Sequence, residues 1–400
     1  MSRHVVAGID IGTSETKVII AEGVVENGHF SPRIIGTGSA ESRGVEKGFI
    51  ASVAEVAESV RAAAAKAEKA AGVRPRRAFV SFGGIGLGSI TATGSVAITR
   101  ADLEVSERDL TLALEAAEAA LSKEVTLNKR IINTIPVEYK IDGKISWGEP
   151  VGLKAHKLEV KALFITCLEH HLGDLIKAVE EAGIEVVDVV AAPVAASFVT
   201  VSKKERRVGA LLADVGAETL SVIAFENGNP VSLEVFGVGG EDITNDIALG
   251  LKVSLEEAEI IKLGGLSRSP YSKKKLDEII SARLYDCFES IEGHLKKIGR
   301  DRLLPAGIIL SGGSAKIGGV KALAEEALSL PASVAEIHFG QAEKGKIKDP
   351  AWTVACGLAL LGFNSDGAQA LTGRKSGSFS APGGKDVVRK LSKWFSQFLP

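Results

Sequence analysis

Three short glycine-containing segments carry the residue types that bind phosphate. They are Asp10-Ile-Gly12-Thr13-Ser14-Glu-Thr-Lys17, Asp214-Val-Gly216-Ala217-Glu218-Thr, and Ser311-Gly312-Gly313-Ser314. Glycine lets backbone N–H groups come close to an anion and adopt positive φ, and successive amides of this kind form an anion-binding nest. The hydroxyls of Thr13 and Ser14 add donors, and the Lys17 ammonium is a point charge suited to the outer phosphates of a nucleotide. Asp10 and Asp214 can hold Mg²⁺ through water from opposite sides, because this cation keeps much of its hydration shell. Gly312 and Gly313 leave room for an adenosine against the backbone. A lone Asp-x-Gly at a strand end is commonly a plain hairpin, but two of them with a Ser-Gly-Gly turn in one chain point to a shared phosphate site.

The elements around these turns follow from hydrophobic period and turn chemistry. Residues 5–9 and 18–21 are β-branched runs on either side of the first turn, a hairpin of buried strands. "RVGALLADVGAETLSVIAFENGNPV" repeats the theme of strand, Asp-x-Gly turn and strand, with a further hairpin at Asn227-Gly228. The chain therefore reads as a duplicated α/β protein with two facing halves. An alanine-rich helix is expected from Val53 to Ala71, ended by Gly72 and Pro75. "AFVSFGG" is a strand, and about 84–162 holds one helix (Glu107 to Ser122) among several strands, as an inserted module would. "KALFITC", "GDLIKAVEEAG", "IEVVDVVAAP" and "VAASFVTV" read as strand, amphipathic helix, strand with turn, and short helix. A polar helical region from about 241 to 300 interrupts the second half, and "AGIILSGGSAKIGGVKALAEEA" gives strand, glycine turn and helix.

A chain of 400 residues at 45% hydrophobic and 24% charged can bury a large core, enough for two to four domains of roughly 150 residues. With 48 basic and 50 acidic residues the net charge is −2, which excludes a global field for nucleic acid. Cys167, Cys287 and Cys356 lie in no metal-binding or disulfide spacing, and the adjacent His170 and His171 read as a solvated turn. The longest apolar runs fall short of the ~18 residues a membrane span needs, so a cytoplasmic protein is expected.

The C-terminal segment is of a different kind. Residues 365–385 are rich in Gly, Ser and Pro without a hydrophobic period, as in a flexible linker. In "VVRKLSKWFSQFLP" the residues Val388, Leu391, Trp394, Phe395 and Phe398 recur at helical steps beside Arg389, Lys390 and Lys393. A basic, aromatic amphipathic helix of this kind lies in a membrane interface, drawn to anionic lipid at about 1 kcal/mol per basic residue.

These residues resemble the actin/Hsp70/hexokinase ATPase superfamily and, within it, the FtsA family of bacterial cell-division proteins. "DIGTSETK" and "DVGAET" look like the two phosphate motifs, "ILSGGSAKIGG" like the adenosine motif, and "AAPVAASF" and "AWTVACGLALLG" like the two connecting helices. "GGEDITNDIALGLKVSLEEAEIIKLG" carries the GGxxxTxDIAxxL…AExxK pattern of FtsA, and "SRGVEKG", "IPVEYKIDG" and "PVGLKAHKLEVKALFITC" are also similar to that family. The resemblance implies a duplicated actin-like (ribonuclease H-like) α/β fold with an inserted α+β subdomain and a C-terminal amphipathic helix. Subdomain 1A would be 1–83 and 163–203, the insert 1C 84–162, and 2A 204–240 and 306–363. Subdomain 2B would be 241–305, followed by a linker at 364–385 and the membrane helix at 386–400.

It also implies ATP and Mg²⁺ as ligands, with Gly239, Gly240 and Thr244 lining the nucleotide cleft and Glu259 and Lys262 reaching the ribose and adenine edge. The implied partners are the C-terminal peptide of FtsZ, other copies of the chain in actin-like protofilaments, an anionic inner-membrane surface, and further division proteins of that membrane. Arg283, with Lys274 and Lys275, would meet the FtsZ peptide. Three departures bear on this. The first loop is longer than the usual GTxK and is spaced as in PilM pilus proteins, which keeps a PilM-like peptide-binding scaffold as the alternative. Ala217 and Glu218 replace two glycines, so Glu218 should weaken phosphate binding or turn outward. Ala192 stands where Hsp70-like ATPases place a water-orienting glutamate, so slow or negligible ATP hydrolysis is expected.

Overall fold

The computed structural model describes residues 4–26, 29–266, 270–340 and 347–372. The expected membrane helix, with Val388, Leu391, Lys393, Trp394, Phe395 and Phe398, lies outside these residues.

Strands β1 (Val5–Ile11), β2 (Glu15–Glu26) and β3 (His29–Glu41) form an antiparallel meander, followed by the small hairpin β4 (Val45–Glu46) and β5 (Phe49–Ile50). Helix α1 (Val53–Ala71) has the expected bounds. Ser52 caps it by accepting from Glu55 N, and Gly72 closes it in the left-handed region with a bond to Glu68 O. Strand β6 (Arg77–Phe82) then pairs parallel to β1. The next segment comprises β7 (Gly88–Ala97), α2 (Glu107–Ala119), α3 (Lys123–Thr126), β8 (Lys129–Ile141), β9 (Lys144–Ser146) and β10 (Lys157–Leu168). The helix expected to run to Ser122 stops at Ala119, since Ser122 is instead the cap position of the short α3.

Helix α4 (Glu169–Glu181), β11 (Glu185–Ala191), α5 (Ala192–Thr200) and α6 (Lys203–Val208) complete the first half. The second half restarts with β12 (Ala210–Val215), β13 (Leu220–Glu226) and β14 (Asn229–Phe236). The last two are joined by Asn227 and Gly228, both at positive φ as the sequence required. Helices α7 (Gly240–Leu251), α8 (Leu255–Lys262) and α9 (Lys273–Lys297) follow, then β15 (Gly307–Ser311), α10 (Val320–Leu328), β16 (Ala332–Val334) and α11 (Thr353–Thr372).

Two sheets carry the molecule. One has the order β11-β6-β1-β2-β3, with α1 against β2 and β3 and α11 against β1. The other has nine strands, β16-β15-β12-β13-β14-β7-β10-β8-β9, so the strands of the inserted segment continue the sheet of the second half. The join rests on the Glu234↔Gly88 pairing and on Ser89, whose hydroxyl donates to Leu233 O at 3.0 Å and accepts from Leu233 N at 2.7 Å. Strand β10 spans residues 162 and 163, where a subdomain boundary was expected; its ladder with β7 is in register there, while that with β8 shifts between Lys161 and Ala162.

Helices α5 and α11 pack on each other between the halves. Near α5 the guanidinium of Arg206 is buried, with no carboxylate among its hydrogen-bond partners in the described residues. It donates to Val201 O (3.2 Å) and Ser197 O (2.5 Å), carbonyls at the negative end of α5, and stands 4.9 Å from the Phe225 ring centroid. Burial pulls its pKa down to about 10. Helix α11 continues to Thr372, eight residues past the start of the expected linker at 364. A helix already nucleated on its buried face from Val354 to Phe363 propagates through Ser365 and Gly367 at small cost. Among the described residues no helix is long and apolar enough to cross a membrane.

Candidate functional site

A cleft of about 280 Å³ opens between the two sheets, where the phosphate-type turns meet. The β1–β2 register sets Asp10 opposite Lys17, and Gly12 N closes the turn on Glu15 O at 3.2 Å. The second half repeats this: Asp214 lies opposite Ser221, and Gly216 N donates to Thr219 O at 2.8 Å. Strand β15 runs parallel to β12 and brings Ser311 beside Asp214. Gly312 follows at φ 86°, and a methyl group there would fall 2.4 Å from Asp214 Oδ1, so the turn admits only glycine.

Asp10, Gly12, Thr13, Ser14, Lys17, Asp214, Gly216, Gly240, Glu259, Lys262, Gly312, Gly313 and Ser314 all line the cleft. Gly239 and Thr244 stand behind that lining. Gly239 is the cap residue of α7, its N–H donating to Asp242 Oδ2 at 2.9 Å. Thr244 is buried and forms a network with Lys262 and Glu259. The Lys262 ammonium donates to Gly240 O (2.9 Å) and Thr244 Oγ1 (2.8 Å) and pairs with Glu259 at 2.5 Å, which satisfies all three of its protons. Thr244 Oγ1 in turn donates to Glu259 Oε2 at 2.5 Å. Glu259 and Lys262 share a face of α8 at i and i+3, and Ser254 caps that helix.

The electrostatics centre on the two aspartates. Burial pushes the Asp10 carboxyl up, against the opposing pull of Lys17 and of Ser81, whose hydroxyl donates to Asp10 Oδ1 at 2.8 Å. Burial and the neighbouring Asp10 raise Asp214 to about 7, with Lys17 opposing. Two carboxylates that repel each other in a partly enclosed site, only partly offset by Lys17, are a hard-oxygen donor set that suits a divalent cation. Lys17 is buried and pairs with Glu15 at 3.2 Å.

Sequence reasoning missed several residues of the cleft. Ser81, at the end of β6, is one, and its only signal is the hydroxyl just before Gly83-Gly84 at a strand end. Asp349 is another. It caps the 3₁₀ turn Pro350–Trp352 through Ala351 N and pairs with Lys316 at 3.0 Å, and both side chains line the cleft. The Asp-Pro pair ahead of an apolar helix was the available signal. Glu218 is turned out of the cleft lining; its carboxylate accepts from the backbone N–H of Lys47 in the β4–β5 hairpin.

The residues expected to meet a peptide lie apart from the cleft on α9. Arg283 Nε donates to Asp246 Oδ2 at 2.7 Å and its guanidinium pairs with Asp286 at 3.4 Å. Lys275 donates to Gly250 O in the last turn of α7 at 2.5 Å, and Lys274 stands 3.9 Å from Glu278. His170 and His171 sit in the first turn of α4, and the His171 ring stacks on Phe49 with centroids 3.8 Å apart.

Comparison with known proteins fits this architecture. A model of the cell division protein FtsA matches residues 211–357, and one of the SHS2 domain inserted in FtsA matches 84–166. The chain is 31% identical to the cell division protein FtsA of Bacillus subtilis over 405 residues, covering 96% of this chain and 88% of that protein. Against the FtsA of Pseudomonas aeruginosa the identity is 28%, with 98% of each chain covered. Among solved structures, a chain of a PilM–PilN type IV pilus biogenesis complex superposes with a TM-score of 0.65 at 18% identity, covering 89% of this chain and 98% of that one. MreB5 of Spiroplasma citri bound to ADP gives 0.50 at 12% identity, over 93% and 99%. Two facing α/β halves, an inserted SHS2 segment and full-length similarity at this level have one reading: the chain has an actin-like ATPase fold and belongs to the FtsA family of cell-division proteins.

Proposed function

We propose that the protein binds ATP with Mg²⁺ in the cleft, assembles into actin-like filaments on the inner face of the cell membrane, and tethers FtsZ filaments there at the division site. The observation that carries the ATP reading is the convergence of Asp10, Lys17, Asp214 and Gly312 at one cleft floor. In this reading Lys17 and the amides of residues 12–14 hold phosphate, while Asp10 and Asp214 hold hydrated Mg²⁺. Gly312 and Gly313 pass beneath the adenosine, and Glu259 and Lys262 border it. The bound cation supplies charge neutralisation to the phosphates. Ser81 keeps Asp10 oriented, and the Lys262 network fixes the start of α7 against the second loop.

Ala192 lines the cleft with a methyl group only, so this chain offers no carboxylate from α5 to orient an attacking water. Phosphate release by the purified protein should stay far below that of an active Hsp70-type ATPase. Turnover at the Hsp70 level, abolished by Asp214→Ala, would contradict this.

For the FtsZ peptide, α9 offers a cationic rim of Lys274, Lys275 and Arg283 around partners already in place on α7. Arg283→Glu should weaken binding of the FtsZ C-terminal peptide about five- to tenfold at low salt and less at high salt, as for a rim charge. A titration showing unchanged affinity removes Arg283 from that site.

A further inference from the structure

The β4–β5 hairpin belongs to the "SRGVEKG" stretch and takes no part in the phosphate chemistry above, yet its tip stands at the mouth of the cleft. Its turn is Lys47-Gly48, at φ 47° and 76°, the left-handed pair that a two-residue hairpin demands. Gly48 lines the cleft, and a methyl group there would fall 2.5 Å from Gly84 Cα, so the tip is pressed onto the Gly83-Gly84 turn. The hairpin is anchored in the first half. Val45 and Ile50 are buried, the Phe49 ring stacks on His171, and Lys47 O accepts from Ile85 N at 3.2 Å. Just ahead of it, Ser42 N donates to Ser14 O at 2.9 Å, and the hydroxyls of Ser42 and Thr16 are 2.9 Å apart, which ties the hairpin to the first phosphate-type loop.

The N–H of the first turn residue points away from a tight hairpin and must find its acceptor elsewhere. Here the acceptor is Glu218, in the second phosphate-type loop on the opposite half of the molecule. The Glu218 carboxyl also stands beside that of Glu241 in the first turn of α7. Burial first, and then the adjacent Glu218, push the Glu241 carboxyl up.

We propose that Glu218 is an interdomain clasp: it joins the second phosphate-type loop to the tip of β4–β5 and so holds the mouth of the cleft closed before any ligand enters. Through Ser42 the clasp couples the two loops into one unit. Its effect on ATP binding rests on reading the cleft as the nucleotide site, whereas the clasp itself does not.

Hydrogen exchange of the full chain, followed by mass spectrometry, tests it. In nucleotide-free Glu218→Gly and Glu218→Ala, amides of residues 44–50 should exchange about tenfold faster than in the wild type, while those of α1 stay unchanged and show the fold intact. Glu218→Gln keeps an acceptor oxygen and should restore most of the protection. Unchanged exchange at 44–50 in Glu218→Gly overturns the clasp. So does a loss confined to residues 214–219, which would make Glu218 a local loop residue only. A non-hydrolysable ATP analogue with Mg²⁺ should close the cleft by its own contacts and shrink the difference. If the analogue protects neither protein, the ATP reading fails while the exchange at 44–50 still decides the clasp.

Discussion

Asp214→Asn should stabilise the nucleotide-free protein at pH 8 and remove its response to Mg-ATP. Asp214 titrates near 7 in the folded chain, through burial and the neighbouring Asp10, against about 4 when unfolded. Between those values the folded state holds more protons than the unfolded one, so the stability contributed by this group falls as pH rises through 7. It is fully present below about pH 4 and lost above 7. The charge at pH 8 therefore costs the metal-free fold on the order of 2–4 kcal/mol, and the neutral, near-isosteric amide removes that cost. In thermal unfolding the variant should melt several degrees above the wild type at pH 8 and close to it at pH 4.5. Mg-ATP, on the proposed function, would bind the native state only and should raise the melting temperature of the wild type. In the variant one of the two carboxylates proposed to carry the hydrated cation is gone, and the shift should vanish. A variant less stable than wild type at pH 8, or one still shifted by Mg-ATP, would contradict the role given to Asp214.

Much of this site was legible in the sequence because local chemistry decides it. β-Branched runs about Asp-x-Gly turns fold as hairpins, and the β1–β2 register that sets Lys17 against Asp10 follows from the turn length. Helix α1 ends at Ala71 as its Gly72 stop signal required. What escaped is non-local. The continuity of the nine-stranded sheet depends on the edge of β14 meeting Gly88 and Ser89, contacts between residues 144 apart in sequence that no periodicity announces. Ser81 reaches the cleft only because β6 pairs parallel to β1. The outward turn of Glu218 was one of the two outcomes expected, but its partner, an amide 171 residues away, was not. Helix α11 outran its expected end because packing on β1 and α5, rather than propensity, starts it.

The membrane reading makes the other large prediction. Trp394, Phe395 and Phe398 stand among Arg389, Lys390 and Lys393 in a chain that is only 5% aromatic. In the proposed interfacial helix Trp394 buries its ring at the acyl boundary, and replacing it with Glu both removes that burial and adds a charge repelled by anionic lipid. The combined loss is about 3 kcal/mol or more, over a hundredfold in partitioning. The proposed filaments would multiply the effect, since every tethered copy binds at high effective concentration. The cleft is far from residue 394 in sequence and should bind ATP as before.

The most direct test of the account is co-sedimentation of FtsZ filaments with anionic vesicles in the presence of the full chain and Mg-ATP. FtsZ should pellet with the vesicles when the wild-type chain is present and stay in the supernatant with Trp394→Glu, with ATP binding equal in both. Failure of the wild-type chain to bring FtsZ down, or equal pelleting by Trp394→Glu, would contradict it.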